Sequence, residues 1–345
     1  MTRPHPEPEP RRRIAVIAPN WLGDAVMALP AIADLGATGP VAVLSPRYTA
    51  RVFWGAPGVG EVWVDAAGGR VRRIRERASA LRAYGASAAL ILPPSLSSAL
   101  GPWLAGVPTR VGFATDGRRG LLTRAPAAPP RTTHLCDAYR ALSSELGAGD
   151  RSPAVPRLHV AGTEREAIAG RLAAAGVRGD FAVVVPGAAF GPAKAWPWER
   201  YRELCARLAQ DMPVVVTGGP GDRAVCAQVA ADTPRVANLA GETSLGEFFA
   251  LAERARVLVA NDSGAPHVSA ALGTPTVVLF GSTSPAWTSP RGGRVQVLQH
   301  PVHCNPCFRR HCPTQLECFN GIPVVDVEMR VRALLALAGS AQPRG

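Results

Sequence analysis

Residues 257–280 read VLVANDSGAPHVSAALGTPTVVLF, two apolar runs separated by a polar turn and a stretch of small residues. The runs at 257–260 and 276–280 are short, rich in valine and leucine, and bounded by Asn, Asp, Gly and Pro, as buried strands are. Between them Ser263 suits an N-cap, Pro266 suits the first turn of a helix, and Gly273 suits the position just past its end. Strand, helix and strand in so short a span make a parallel crossover, the unit of an α/β layer.

The same rhythm extends in both directions. Toward the N-terminus, apolar runs at 14–18, 41–44, 62–64 and 89–92 read as strands of a first sheet. Helical spacing follows the first of them over 25–35, and an arginine-rich helix is predicted over 70–84 with Val71, Ile74, Ala78 and Leu81 on one face. The segment GAGDRSPAVPRLHV at 147–160 interrupts the pattern with Gly, Asp and Pro. It predicts a boundary between one domain over 13–155 and another over 156–345, after a disordered tail over 1–12. In the second part, helices are expected at 164–175, 198–210 and 245–254, strands at 182–185 and 214–217, and a closing helix at 327–337. The expected fold class is α/β with two doubly wound, Rossmann-like parallel sheets. Ligands of such sheets bind beyond the carboxyl ends of the strands.

Composition bounds the function. With 345 residues, 47% hydrophobic and 19% charged, the chain is long and apolar enough for two cored domains and too apolar for a disordered polymer. The stretches 85–109 and 263–290 carry no Asp, Glu, Lys or Arg, but repeated prolines and glycines exclude a membrane-spanning helix in either. The basic N-terminus lacks an uninterrupted apolar stretch behind it, which reads as a cytoplasmic protein. A net charge of +12 suggests an anionic partner: nucleic acid, a phosphorylated substrate or an anionic membrane face. Only 6% of residues are aromatic and no nucleic-acid motif appears, which argues against nucleic acid. Among 38 basic residues Lys194 is the one lysine, so its ammonium stands out from an arginine habit.

Three loops at strand ends carry candidate chemistry. In Pro19-Asn20-Trp21-Leu22-Gly23-Asp24, Gly23 permits close backbone approach, and Asp24 at the helix start is either a cap or a general base for a hydroxyl nucleophile. The loop from Pro186 and Gly187 to Lys194 and Pro197 places small residues and a cation before a helix, an arrangement that suits phosphate. It lacks the GKS or GKT ending of a nucleotide-hydrolysing loop, and the alternative for Lys194 is a solvated surface residue. In Asn261-Asp262-Ser263-Gly264-Ala265-Pro266-His267, the helix start is a natural anion site. Asp262, at the end of a buried strand, requires a hydroxyl, an N–H or a cation, whereas His267 taken alone reads as an ordinary core histidine.

Four of the seven cysteines, Cys304, Cys307, Cys312 and Cys318, fall within fifteen residues. Their spacing is compatible with structural zinc or an iron–sulfur cluster but matches no standard zinc fold, and the expectation taken for the site is no metal. Cys136, Cys205 and Cys226 are scattered and read as core thiols.

With these loops in place, the chain resembles the ADP-heptose:lipopolysaccharide heptosyltransferases of glycosyltransferase family 9, most closely their type II. The resemblance runs over nearly all of 13–338 and rests on NWLGDAVMALPA, LPPSLSSALGPWLAGVPTRVGF, PGAAFGPAKAWP, NDSGAPHVSAALGTPTVVLFGSTSP and CNPCFRRHCP. It implies a GT-B architecture with two Rossmann-like domains across a cleft, and inverting transfer with neither an obligatory metal nor another cofactor. It further implies an N-terminal half for the lipopolysaccharide core acceptor and a C-terminal half for ADP-heptose. Carried over by residue, Asp24 matches the catalytic base and Lys194 the lysine that meets the donor phosphates. Asp262 matches the aspartate near the donor sugar, and Ser263, Gly264 and His267 lie on the helix start that holds the diphosphate. Gly23 and Gly187 belong to the same substrate-binding loops. Ala188 and Ala189 stand where some members have hydroxyls, leaving backbone N–H groups to supply those contacts. Charge alone suggests Arg70, Arg72, Arg73, Arg118 and Arg119 for acceptor phosphates. Peripheral contact with the cytoplasmic face of the inner membrane fits the acceptor. The alternatives are a family 9 enzyme with another acceptor glycan, or a nucleotide-sugar isomerase or hydrolase of similar architecture.

Overall fold

A computed structural model describes residues 12–66 and 68–339. The tail expected over 1–12 lies outside the described residues except for Arg12, whose guanidinium donates to the Leu146 carbonyl at 2.8 Å. The chain forms two compact units. The first holds the residues up to Asn20 with Pro30–Ala128 and Ala138–Ser152, and the second holds Trp21–Leu29, Pro129–Asp137 and the chain from Pro153.

In the first unit, strands β1 (Ile14–Ile17), β2 (Val41–Ser45), β3 (Val59–Val64), β4 (Ala88–Ile91) and β5 (Thr109–Val111) form one sheet in the order β3-β2-β1-β4-β5. Every pairing is parallel, with β1 central: Ile17 lies opposite both Leu44 and Ile91. Ile17, Leu44, Leu81, Ile91 and Val107 share its core. The single helix expected over 25–35 is two, Leu22–Met27 and Leu29–Gly36. Pro30 explains the break, since it lacks the N–H that a continuous helix would bond to the preceding turn.

In the second unit, β6 (Ala182–Val185), β7 (Val214–Val216), β8 (Val236–Asn238), β9 (Val257–Asn261), β10 (Thr276–Phe280) and β11 (Val295–Gln299) form a parallel sheet in the order β11-β10-β9-β6-β7-β8. Counted from β6 this is the 3-2-1-4-5-6 order of the dinucleotide-binding fold, with its switch point between β6 and β9. The α/β reading with two doubly wound parallel sheets therefore holds. Trp196, Tyr201, Phe319 and the alternate valines Val184, Val214, Val216, Val257 and Val259 of β6, β7 and β9 fill one side of this sheet; burying each such side chain contributes about 1.5–3 kcal/mol. Helix Gly264–Ala271 follows β9 and ends at Leu272, with Gly273 at φ +79° just beyond. The closing helix spans Val324–Gly339, longer at both ends than the spacing predicts.

Candidate active site

The loops after β6 and β9 flank the switch point, and they bring Lys194 and Asp262 together. Lys194 sits in a short turn, Pro192–Lys194, and its Nζ lies 2.5 Å from Asp262 Oδ2, with the two side chains 15% and 4% exposed. This is a buried ion pair, so the surface-lysine alternative fails. Asp262 also accepts from Thr283 Oγ1 at 2.6 Å, which supplies the hydroxyl and the cation that a carboxylate at a buried strand end requires. The Lys194 ammonium lies 5.3 Å from the centre of the Phe190 ring.

Two helix starts converge on this pair. A Cβ built on Gly264 would meet Leu22 at 2.6 Å, and one built on Gly23 would meet His267 at 2.9 Å, so helices Leu22–Met27 and Gly264–Ala271 touch at their first turns. Asp24 is no cap. The N-cap position is Trp21, and Asp24 lies in the first turn. Burial pushes its carboxyl up to about 7; Lys194 pulls it down and Asp262 pushes it up. It is thereby poised between acid and base near neutrality. His267 is 3% exposed, and burial lowers its imidazole to about 4, against the pull of Asp262 and with help from His134 and Lys194. It is neutral at pH 7.

Ser263 occupies the N-cap position as predicted, yet its side chain caps nothing. Its hydroxyl and that of Ser282 are buried with no partner among the described residues. A buried hydroxyl left unpaired costs about 1–3 kcal/mol, so a polar ligand atom at Ser263 would remove a penalty already present. Gly187, at the start of the Lys194 loop, lies against a residue that sequence reasoning missed: a Cβ there would fall 2.3 Å from the Asp222 carboxylate. That carboxylate accepts from the Gly219 N–H at 2.8 Å. Asn261, Thr283 and His134 were also missed. His134 accepts from the Cys136 N–H at Nδ1 and bonds the Ser289 carbonyl through Nε2, which fixes the neutral tautomer with the proton on Nε2.

The arginines separate by environment. Arg118, suggested for acceptor phosphates, is fully buried in the first unit, donating to the carbonyls of Pro93, Phe113 and Ile91 and to Ser98 Oγ. It cannot meet a substrate. Desolvation lowers it to about 10, still cationic at neutrality. Arg72 is paired with Glu76 at 2.7 Å, and Arg119 donates to the Ala125 carbonyl at 3.3 Å.

All seven cysteines are free thiols, and no group of three or more metal-ligating side chains among the described residues is placed to hold an ion. Cys136, Cys205 and Cys226 are buried, as expected of core thiols, with the last two pushed up to about 12 by desolvation. The cysteine-rich segment instead braces the site loops. The Phe308 N–H donates to the Ser282 carbonyl at 2.8 Å, and the Arg310 carbonyl accepts from the Ala193 N–H at 3.0 Å.

Comparison with known proteins identifies the family. The sequence pattern of glycosyltransferase family 9 (heptosyltransferase) matches residues 74–317. The chain is 33% identical over 306 residues to lipopolysaccharide heptosyltransferase 2 of Escherichia coli K12, covering 83% of this chain and 88% of that one. It is 31% identical over the same shares to the Salmonella typhimurium LT2 protein of that name. The solved structure of E. coli ADP-heptose lps heptosyltransferase II superposes with a TM-score of 0.81 at 29% identity, over 95% of this chain and all of that one (100%). On the family match and the 33% identity, the chain belongs to glycosyltransferase family 9, the heptosyltransferases.

Proposed function

We propose that this chain is a type II heptosyltransferase that moves a heptose from ADP-heptose to the inner core of lipopolysaccharide, inverting the anomeric centre in a single displacement. The reading is carried by one juxtaposition: a carboxyl poised near 7, Asp24, beside the Lys194–Asp262 pair. A hydroxyl of the acceptor gives its proton to Asp24 while its oxygen attacks the anomeric carbon. The bond from that carbon to the ADP oxygen breaks, and its electron pair leaves with the diphosphate. Lys194 and the N–H groups that open helix Gly264–Ala271 stabilise that growing charge, and Ser263 contributes its unpaired hydroxyl. Lysine and helix dipole together supply the charge stabilisation that a metal supplies in other transferases. His267, neutral, adds no positive charge to that stabilisation and can act only as a hydrogen-bonding or packing group.

In this reading the residues of 156–345 bind the donor and those of 13–155 the acceptor, at the cytoplasmic side of the inner membrane. Among the described residues no helix is long and apolar enough to cross a membrane. Peripheral contact with an anionic surface is supported by Tyr48 and Val71, exposed on the first unit, Val71 on helix Arg70–Tyr84 and Tyr48 near its Arg73 and Arg77.

The test is mass spectrometry of purified protein with truncated lipopolysaccharide acceptors and a panel of nucleotide-sugars. The acceptor should gain one heptose from ADP-heptose and from no other donor at comparable rate. Rapid turnover of ADP-heptose without an acceptor would replace this reading with a hydrolase or isomerase.

A further inference from the structure

The loop that carries Lys194 runs from Pro186 to Trp196, and its two ends are tied to a single side chain. Asn261, fully buried at the end of β9, donates from Nδ2 to the Pro186 carbonyl at 2.7 Å and accepts at Oδ1 from the Trp196 N–H at 3.0 Å. Oδ1 also accepts from the Tyr201 hydroxyl at 2.9 Å. Trp196 is anchored a second time by its indole N–H, which donates to the Ile322 carbonyl at 3.1 Å, and its ring meets Tyr201 edge-on at 4.9 Å. Within the loop, the Gly191 N–H donates to Ala188, Lys194 to Gly191 and Ala195 to Pro192. These short-range bonds make the loop a stiff arch whose orientation depends on its two feet.

We infer that Asn261 is a positioning residue for donor binding: its carboxamide clamps both feet of the Lys194 arch to the strand that presents Asp262. Two consecutive residues then set the geometry of one ion pair. Asn261 holds the base of the arch, and Asp262 meets the ammonium at its tip, 2.5 Å away. A carboxamide is suited to this because it offers a donor and an acceptor on one flat group, matching one carbonyl and one N–H that the crossover leaves without a ladder partner. An aliphatic residue would leave both backbone groups buried and unpaired, and would free the arch to drift. Displacement of a charged group by about 1 Å can cost up to about a hundredfold in rate, so loosening the feet should register at the phosphates.

This inference rests on the reading of Lys194 as the donor's phosphate-binding lysine. The test is a double-mutant cycle with Asn261→Ala, Lys194→Ala and both together, reading the Kd for ADP by titration calorimetry and kcat for heptose transfer. Circular dichroism and thermal midpoints identify folded material. Asn261→Ala should weaken ADP binding about tenfold and lower kcat, and in the Lys194→Ala background it should change neither further. If alanine does not fold, Asn261→Ser takes its place with the same expectations, its smaller side chain leaving room for a bridging water. Parent-like ADP binding in the folded variant, or losses that add to those of Lys194→Ala, would overturn the inference while leaving the transferase reading intact. A parent protein that fails to bind ADP would overturn both.

Discussion

Gly23 lies against the imidazole of His267, so closely that a Cβ on residue 23 would fall 2.9 Å from the ring carbon Cδ2. Asp24 is the next residue along the helix. Gly23→Ala must push the first turn of helix Leu22–Met27 away from helix Gly264–Ala271 and carry the carboxyl with it. The expected result is a kcat lower by roughly ten- to a hundredfold with a smaller loss of ADP affinity, since the displaced helix carries Asp24 whereas the Lys194–Asp262 pair keeps its own loops. Steady-state kinetics beside calorimetry separates the two. An unchanged kcat would show that this contact does not place Asp24.

Asp24 must be ionised to take a proton, and burial holds its carboxyl near 7. The pH profile of kcat/KM should therefore rise tenfold per unit below about 7 and level off above it. Asp24→Asn should abolish that limb and lower turnover by roughly 10²-fold or more while keeping ADP binding.

The same shift bears on stability, with its sign set by linkage. The native carboxyl binds its proton more tightly than the unfolded one, whose value is near 3.8. The parent therefore loses stability as pH rises from about 3.8 through about 7. Asp24→Asn, which carries no charge to bury, should melt higher than the parent at pH 8, and the gap should close as pH falls below 4. Melting curves across that range decide the matter, and a gap independent of pH would place the cost elsewhere than in the buried charge.

Lys194→Arg keeps the charge but brings a planar fork into a tight turn, and Lys194→Ala leaves Asp262 buried with Thr283 alone. ADP binding should weaken by about ten- to a hundredfold in the alanine variant, the scale of a lost charge-assisted bond of about 1.5–3 kcal/mol. The arginine variant should fall between it and the parent. Turnover should fall in parallel, since charge on the departing ADP grows as the bond breaks. Should both variants bind ADP like the parent, the donor lies away from this pair.

Arg118 offers a contrast in the first unit. Arg118→Met should leave ADP affinity unchanged and lower the thermal midpoint, because the carbonyls of Pro93 and Phe113 each lose a charge-assisted bond and keep only a neutral donor, Ser98 Oγ and the Thr115 N–H respectively. A variant as stable as the parent would mean that water replaces the guanidinium.

Protein purified without oxygen should carry less than about a tenth of an equivalent of zinc or iron, given that the four clustered cysteines are not placed to share an ion. Stoichiometric metal on elemental analysis would mean that the segment around Cys304, Cys307 and Cys312 closes on an ion.

How far the sequence alone reaches follows from which interactions are local. The strands β1, β4, β6, β9 and β10 were legible because they are buried throughout, and such strands read as continuous apolar runs. The strands β5, β8 and β11 escaped notice, being short or half-exposed edges with no apolar run to mark them. Asp24, Lys194 and Asp262 stood out by residue type at strand ends, where a doubly wound sheet presents its ligand. Asn261, Thr283, Asp222 and His134 did not, since each acquires its role from a partner brought near by folding. Asn261 meets Tyr201 from 60 positions away and Pro186 from 75. The charge state of Asp24 belongs to the same class. Its sequence neighbours make it the first-turn acid of a helix, which favours ionisation. Burial opposes that preference and prevails, since it removes the carboxylate from water, and only the packing of the helix start against the Lys194–Asp262 pair decides how much water remains.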